Sequence, residues 1–257
     1  MKVSLLASGL KLLAFQGVTT FQDSIVVATV EADLVRVAAD GTLTPWINVA
    51  RYGIPTGIVG LKDSIAVALS GQESGHFLLQ VTQQGRVSPL ADLSDLAGEF
   101  GAPFAVAVHE GHYPYYLVAV STDVVGSKGL IARVTRSGKV TVLADLDKTA
   151  FGIGIGEDCA IATQDNGQIV KIDFNGGKSA IANLQSPFGA PLDITRLNED
   201  WIMTTNTGWI VALKSDNTIV PLINLTEIGK GSPTTLTPFK NDVVVATQAG
   251  NLLRVVL

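Results

Sequence analysis

Few side chains in this sequence are typed and spaced for chemistry, and the carboxylates Glu99 and Asp193 are the best placed of them. Asp193 stands in Pro191-Leu192-Asp193-Ile194. A carboxyl withdrawn among apolar neighbours holds its proton more tightly and can serve as a general base or stabilise a cation. Glu99, beside Phe100, is the second such carboxylate. His76 ends the loop Ser70-Gly71-Gln72-Glu73-Ser74-Gly75-His76, and with Glu73 it has the parts for acid–base work; the other reading is an exposed polar loop. His109-Glu110-Gly111-His112 has the spacing of a metal pair, against which stands a solvated turn between two strands. The single Cys159 excludes an intramolecular disulfide and a cysteine zinc site. No Gly-x-Ser-x-Gly elbow and no P-loop occurs.

The elements that must position these residues follow from composition and repeats. The chain has 257 residues, 47% hydrophobic and 16% charged, which is ample for a core and leaves little for a disordered tail. A net charge of −5 without a Lys/Arg cluster argues against a nucleic-acid partner. No stretch approaches the roughly 18 uninterrupted apolar residues of a membrane span, so a soluble chain is expected. The opening Met1-Lys2-Val3-Ser4-Leu5-Leu6 faintly resembles a signal peptide, but Lys11 interrupts the apolar run and no clean cleavage site follows. It reads better as a strand. The compartment stays undecided.

One phrase recurs, an acidic turn and a β-rich run ending near Ala-Thr. It starts at Asp23, Asp63, Asp158, Asp200 and Asp242, with a divergent copy at Tyr115. The steps between copies are 40, 52, 43, 42 and 42 residues, the size of a four-stranded propeller blade. Third strands carry a basic or polar residue, as at Arg36, Arg133, Lys171 and Arg254. Fourth strands tolerate Pro45, Pro89 and Pro221, which suits an outer edge. Blade junctions repeat Gly53-Ile54-Pro55, Gly101-Ala102-Pro103, Gly189-Ala190-Pro191 and Gly231-Ser232-Pro233. Gly152-Ile153-Gly154 and Gln16-Gly17-Val18 hold the same place without proline. Small residues follow, as they must where inner strands crowd one axis. The last copy stops at Leu257 without a fourth strand, and the run from Lys2 to Leu6 can supply it. The expected fold is therefore all-β: a six-bladed β-propeller, residues 1–257 as one domain, with the N-terminal strand closing the last blade. Helix is expected only as a turn near residues 93–97, and an insertion in blade three at residues 110–114 and 122–129.

This grammar resembles the broad group of NHL-repeat, gluconolactonase/SMP-30-like and strictosidine-synthase-like six-bladed propellers, over essentially the whole chain. In the lactonase branch the resemblance implies calcium or zinc held by a Glu-Gly pair, an Asn after a proline and a further Asp. Here Gln16-Gly17 takes the first place. The residues after the prolines are Thr56, Phe104, Leu192 and Thr234, and Asp193 is the one inner-strand carboxylate. No metal and no cofactor is expected.

The loops gathered at one mouth of the ring bring Arg51, Tyr52, Phe100, Phe151, Phe188, Gln164 and Asn206 as ligand-binding candidates. Tyr52, Phe100, Phe151 and Phe188 recur at nearly equivalent junctions. They either rim the mouth for a small neutral or partly apolar molecule, or wedge between blades. Three functions stay open: a ligand- or protein-binding propeller; an enzyme of the lactonase or strictosidine-synthase-like type using Glu99, Asp193 or His76; and an interaction scaffold.

Overall fold

The structure, a computed structural model, describes residues 1–13, 15–71, 75–111, 113–123 and 128–257, and of Gln185 the backbone alone. These residues form six four-stranded antiparallel sheets arranged as a β-propeller. The inner strands are Val18–Phe21, Ile54–Gly60, Ala102–His109, Ala150–Ile155, Pro191–Leu197 and Pro233–Phe239. Second strands such as Ser64–Ser70 and Asp242–Thr247 are buried almost throughout. Their runs of small and β-branched residues, without polar alternation, fit a strand covered on both faces. Pro45, Pro89 and Pro221 lie in the outer strands Leu43–Asn48, Val87–Asp92 and Ile219–Asn224, where a missing N–H breaks no further ladder.

The last blade is completed from the other end of the chain. Lys2–Ala7 pairs antiparallel with Leu252–Val256, Lys2 opposite Val256 and Val3 opposite Val255. Two further hydrogen bonds tie the last blade, one to the segment leading into the first blade and one within the blade itself. Thr235 Oγ1 donates to Gln16 O at 2.9 Å, and Arg254 Nε donates to Asp242 Oδ2 at 2.5 Å.

The core is spread over the blade interfaces rather than gathered at one centre. Each pair of adjacent blades shares its own apolar cluster, such as Val118, Val120 and Leu130 of blade three against Ala66, Ala68 and Leu78 of blade two. Five more clusters complete the circuit, the last joining Val244 and Ala246 to Ile25 and Val27. Basic residues of the third strands rivet neighbours together. Arg36 lies 4.0 Å over Trp46 and its Nη2 donates to Gln83 O at 3.3 Å in the next blade. Arg133 lies 4.6 Å over Tyr115 and its Nη2 donates to Phe174 O at 2.5 Å.

Two features differ from the sequence reading. Neither Gln16-Gly17-Val18 nor Gly152-Ile153-Gly154 is level with the Gly-x-Pro junctions: Val18 opposes Val27 as Ile58 opposes Val67, which puts Gly17 level with Gly57, and Ala150 opposes Gln164 as Pro55 opposes Leu69, which puts Gly152 two residues beyond the proline level. Glycine at 152 answers a close approach, since a Cβ there would stand 2.8 Å from Asp193 Cα. Helical turns occur at Ser94–Ala97, as expected, but also at Ala50–Tyr52 and, with Ser186 non-helical, at Gln185–Phe188. Residues 124–127 and His112, part of the expected insertion, lie outside the described residues, as does Glu73.

Deleting residues 1–7 should strip the outer edge of the last blade. The expected result is a melting temperature lower by at least about 5 °C with concentration-dependent aggregation. Calorimetry and light scattering check it.

Candidate functional site in the axial channel

Inner strands can surround an axis closely only where side chains are small. Gly17, Gly57 and Gly152 provide this: a Cβ at Gly57 would stand 2.8 Å from Ala105 Cα, and one at Gly17 would stand 2.6 Å from Ile58 N. Just before this layer, the inner strands of blades two to five each carry a β-bulge, at Pro55/Gly57, Pro103/Ala105, Ala150/Gly152 and Pro191/Asp193. The extra residues are Thr56, Phe104, Phe151 and Leu192, and all four line an axial channel of about 310 Å³. A bulge re-aims one side chain out of the alternation, which brings these residues to the axis.

Three of the lining residues form an aromatic cluster. Phe15 and Phe104 have ring centroids 5.1 Å apart, Phe15 and Phe151 4.9 Å, and Phe104 and Phe151 5.3 Å, with edge-to-face or tilted planes. Such geometry is the favoured one for aromatic pairs. The cluster stands at the end where the inner strands begin. Below it the walls are Gly, Ala, Val, Ile and Thr.

Along with Arg196 further down the same strand, Asp193 interrupts this neutral lining. By register it takes the place held by Gly57, Ala105 and Gly152 in other blades. Its Oδ1 accepts from Ile194 N at 2.8 Å, and its Oδ2 accepts from Leu236 N at 3.0 Å in the next blade. The carboxyl is packed round by protein and keeps only part of its surface open to the lumen. Burial pushes its pKa up to about 7, against the opposing pull of the Leu236 and Ile194 N–H groups. Desolvation of the charged form wins over two hydrogen bonds.

The residues singled out in the sequence are dispersed. Among the four junction aromatics Phe151 reaches the channel lining. Tyr52 packs against Phe77 at 6.3 Å between blades one and two, and Arg51 Nη2 donates to its hydroxyl at 2.6 Å. Phe188 packs edge-on against Trp209 at 5.7 Å between blades four and five. Phe100 is 65% exposed. Glu99 is exposed as well, whereas the enzymatic reading needs a buried carboxylate. Gln164 is buried and Nε2 donates to Lys148 O at 3.2 Å; exposed Asn206 accepts from Ala190 N at 3.0 Å. Both tie loops together. Gln16 is buried, its Oε1 accepting from Leu13 N at 2.6 Å.

His76 is not in an exposed loop but 7% exposed, with Nδ1 lacking a partner among the described residues. Burial lowers its pKa, with Asp92 pulling the other way, which favours the neutral imidazole. His109 stacks on Tyr115 at 4.7 Å and against Phe174, in an interblade wedge. Among the described residues no three His, Cys, Asp or Glu side chains gather as a metal site would require. Phe15 and Phe104 went unmarked as site residues in the sequence. The signal was available: Phe104 directly follows a junction proline, and Phe15 lies 40 residues before Pro55, the spacing of the first repeat.

The fold and the channel define a six-bladed β-propeller. No family model matches the sequence, and no curated protein does either. Solved structures do. The chain is similar to the PQQ-bound aldose sugar dehydrogenase of Streptomyces coelicolor, at 12% identity with a TM-score of 0.77 over 98% of this chain and 97% of that one. It is similar to virginiamycin B lyase from Staphylococcus aureus, at 15% identity and a TM-score of 0.68 over 100% and 99% of the two chains. A structure of the inactive lyase with quinupristin also matches, at 16% identity and a TM-score of 0.65 over 93% and 79%. At these identities the likeness is one of fold. Among the described residues no helix is long and apolar enough to cross a membrane.

A carboxyl protonated up to about pH 7 when folded, and to its ordinary 3.8 when unfolded, makes folding bind a proton between those values. Stability contributed by the neutral form is therefore full below about pH 4 and falls as pH rises towards 7. Asp193→Asn should melt at least about 3 °C above the wild type at pH 8, and with it at pH 4. Thermal melts across that range check the sign.

Proposed function

We propose that this chain binds a small, partly apolar organic molecule in its axial channel, recognised by the Phe15–Phe104–Phe151 cluster and Asp193. One observation carries the reading. A carboxyl only partly open to the lumen stands where a neutral side chain could meet the same structural need. Capping an inner-strand N–H across a blade interface is done elsewhere by a hydroxyl: Thr19 Oγ1 accepts from Gly60 N at 2.8 Å. A threonine would serve Leu236 N without the cost of burying an ionisable group. The channel's size suits a compact ligand, and rings above walls of aliphatic and threonine side chains with a carboxyl among them are a usual composition for a small-molecule pocket. Two proteins of the same fold have structures with small molecules, PQQ in one and quinupristin in the other.

The same proposal takes residues 1–257 as one domain and groups the chain with the NHL-repeat, SMP-30-like and strictosidine-synthase-like propellers. What supports that grouping is the Gly-x-Pro junction grammar and the Gly-x-Leu-x-Arg-Val third strand. Catalysis is the second reading, because a carboxyl with a pKa of about 7 is matched to proton transfer at neutral pH. A protein-docking scaffold has less support. Of the exposed large apolar residues, Leu43, Ile54, Phe100 and Val142 come from different blades, and one small group, Met1, Leu5, Val256 and Leu257, shares the outer edge of the last blade.

A thermal-shift screen of organic molecules of up to about 20 non-hydrogen atoms should yield ligands for the wild-type chain. For those ligands Phe151→Ala should lose at least about tenfold in affinity, and Phe100→Ala should stay within about twofold. Ligands that bind all three proteins alike would move the site out of the channel and overturn the reading.

A further inference from the structure

The lumen holds few charges. Among its described lining residues the ionisable side chains are Asp193 and Arg196. Arg196 lies three residues further along the strand and is engaged at the opposite end. There its Nε donates to Asn198 O at 3.2 Å, its guanidinium stands 5.9 Å from the Trp201 ring, and Glu157 lies 4.0 Å from its Nη2. The strands packed against Asp193 bring no compensating cation. Ala150–Ile155 and Pro233–Phe239 carry no ionisable side chain. Cys159–Gln164 carries Cys159 at its opposite end, and Asp200–Thr205 opens with Asp200, which is paired to Lys214 at 2.5 Å.

Among the described residues the Asp193 carboxylate is thus held by two N–H groups and no counter-ion, and each oxygen keeps a lone-pair direction free of them. Phe104 and Phe151 immediately precede Ala105 and Gly152, the residues level with Asp193. One residue of strand is about 3.3 Å, so the aromatic cluster stands within reach of a small molecule seated on the carboxyl. An unpaired carboxylate close to aromatic rings attracts an organic cation, whose charge meets the carboxylate and the ring quadrupoles together. A neutral ligand would instead favour the protonated carboxyl, so the pH dependence of binding separates the two.

We infer that the channel's ligand is an organic ammonium ion with an apolar body, its N–H groups on the free lone pairs of Asp193 and its body against Phe15, Phe104 and Phe151. This rests on the channel being the binding site, as proposed above. The linkage has a definite sign. Because burial holds the Asp193 proton up to about pH 7, an ammonium ion must bind the ionised form and drive the proton off.

The test uses the full chain and two probes of nearly equal shape, phenethylamine as its ammonium ion and neutral phenethyl alcohol, titrated calorimetrically from about pH 6 to about pH 8. Across that range the ionised fraction of Asp193 rises from about a tenth to about nine tenths, so the affinity for the amine should rise about tenfold while that for the alcohol does not rise. Asp193→Asn, which keeps an acceptor for Leu236 N, should weaken the amine at least about tenfold at pH 8 and weaken the alcohol no more than about twofold. Equal affinities for the two probes, or an amine affinity indifferent to pH, overturn the cation assignment and leave channel binding standing. The pH series on the wild type decides this even if the variant does not fold. If neither probe binds, the cation assignment falls, and the ligand screen with Phe151→Ala shows separately whether channel binding falls with it.

Discussion

Six strands can stand around one axis only if their backbones come nearly into contact, and the molecule is organised around meeting that demand. Glycine at positions 17, 57 and 152 removes the Cβ that would collide with the next blade. Once the strands are this close, the polar groups on their facing edges must be satisfied between blades, because water has little access to them. Threonine side chains do much of this, as where Thr56 Oγ1 donates to Pro103 O at 2.8 Å and Thr204 Oγ1 donates to Thr234 O at 2.7 Å. Behind this inner ring each interface adds its own apolar cluster, and the N-terminal strand closes the circuit.

The same crowding creates the channel and sets its chemistry. A lumen walled by glycine, alanine, valine and threonine solvates ions poorly, so a carboxyl there pays a desolvation penalty that two backbone donors do not cancel. The bulges supply the rest. By turning one residue per strand out of register, they bring Phe104, Phe151 and Leu192 to the axis without disturbing the residues that pack between blades. Aromatic surface and carboxyl therefore come from adjacent layers of one ring, and both follow from the constraint that closes the fold.

Much of this was legible in the sequence. The repeat step, the prolines at 45, 89 and 221, and the missing last strand matched by the run from Lys2 specify blade count, strand order and closure, because each reflects a backbone requirement repeated six times. Asp193 was legible for the same reason, as a carboxylate where other blades place a small residue. The aromatic site was not. Tyr52, Phe100, Phe151 and Phe188 look equivalent by spacing, but Tyr52 falls in a helical turn, Phe100 follows another, and Phe188 ends a third, while Phe151 lies inside a strand beside a bulge. A bulge shifts side-chain parity by one residue, and no composition rule locates it. The burial of His76 was hidden similarly, since it depends on the backbone N of His76 meeting Ser94 Oγ at 2.9 Å across the blade.

One carboxyl stands largely enclosed in a channel of few charges, with no counter-ion among the described residues. Carbon-detected NMR of aspartate-labelled protein, with Asp193→Asn to assign the resonance, reads its titration directly. A midpoint at about 7 is what burial in this channel requires. A midpoint near the ordinary 3.8 would mean that water or a cation reaches Asp193 freely, and the channel would lose its claim to be the site.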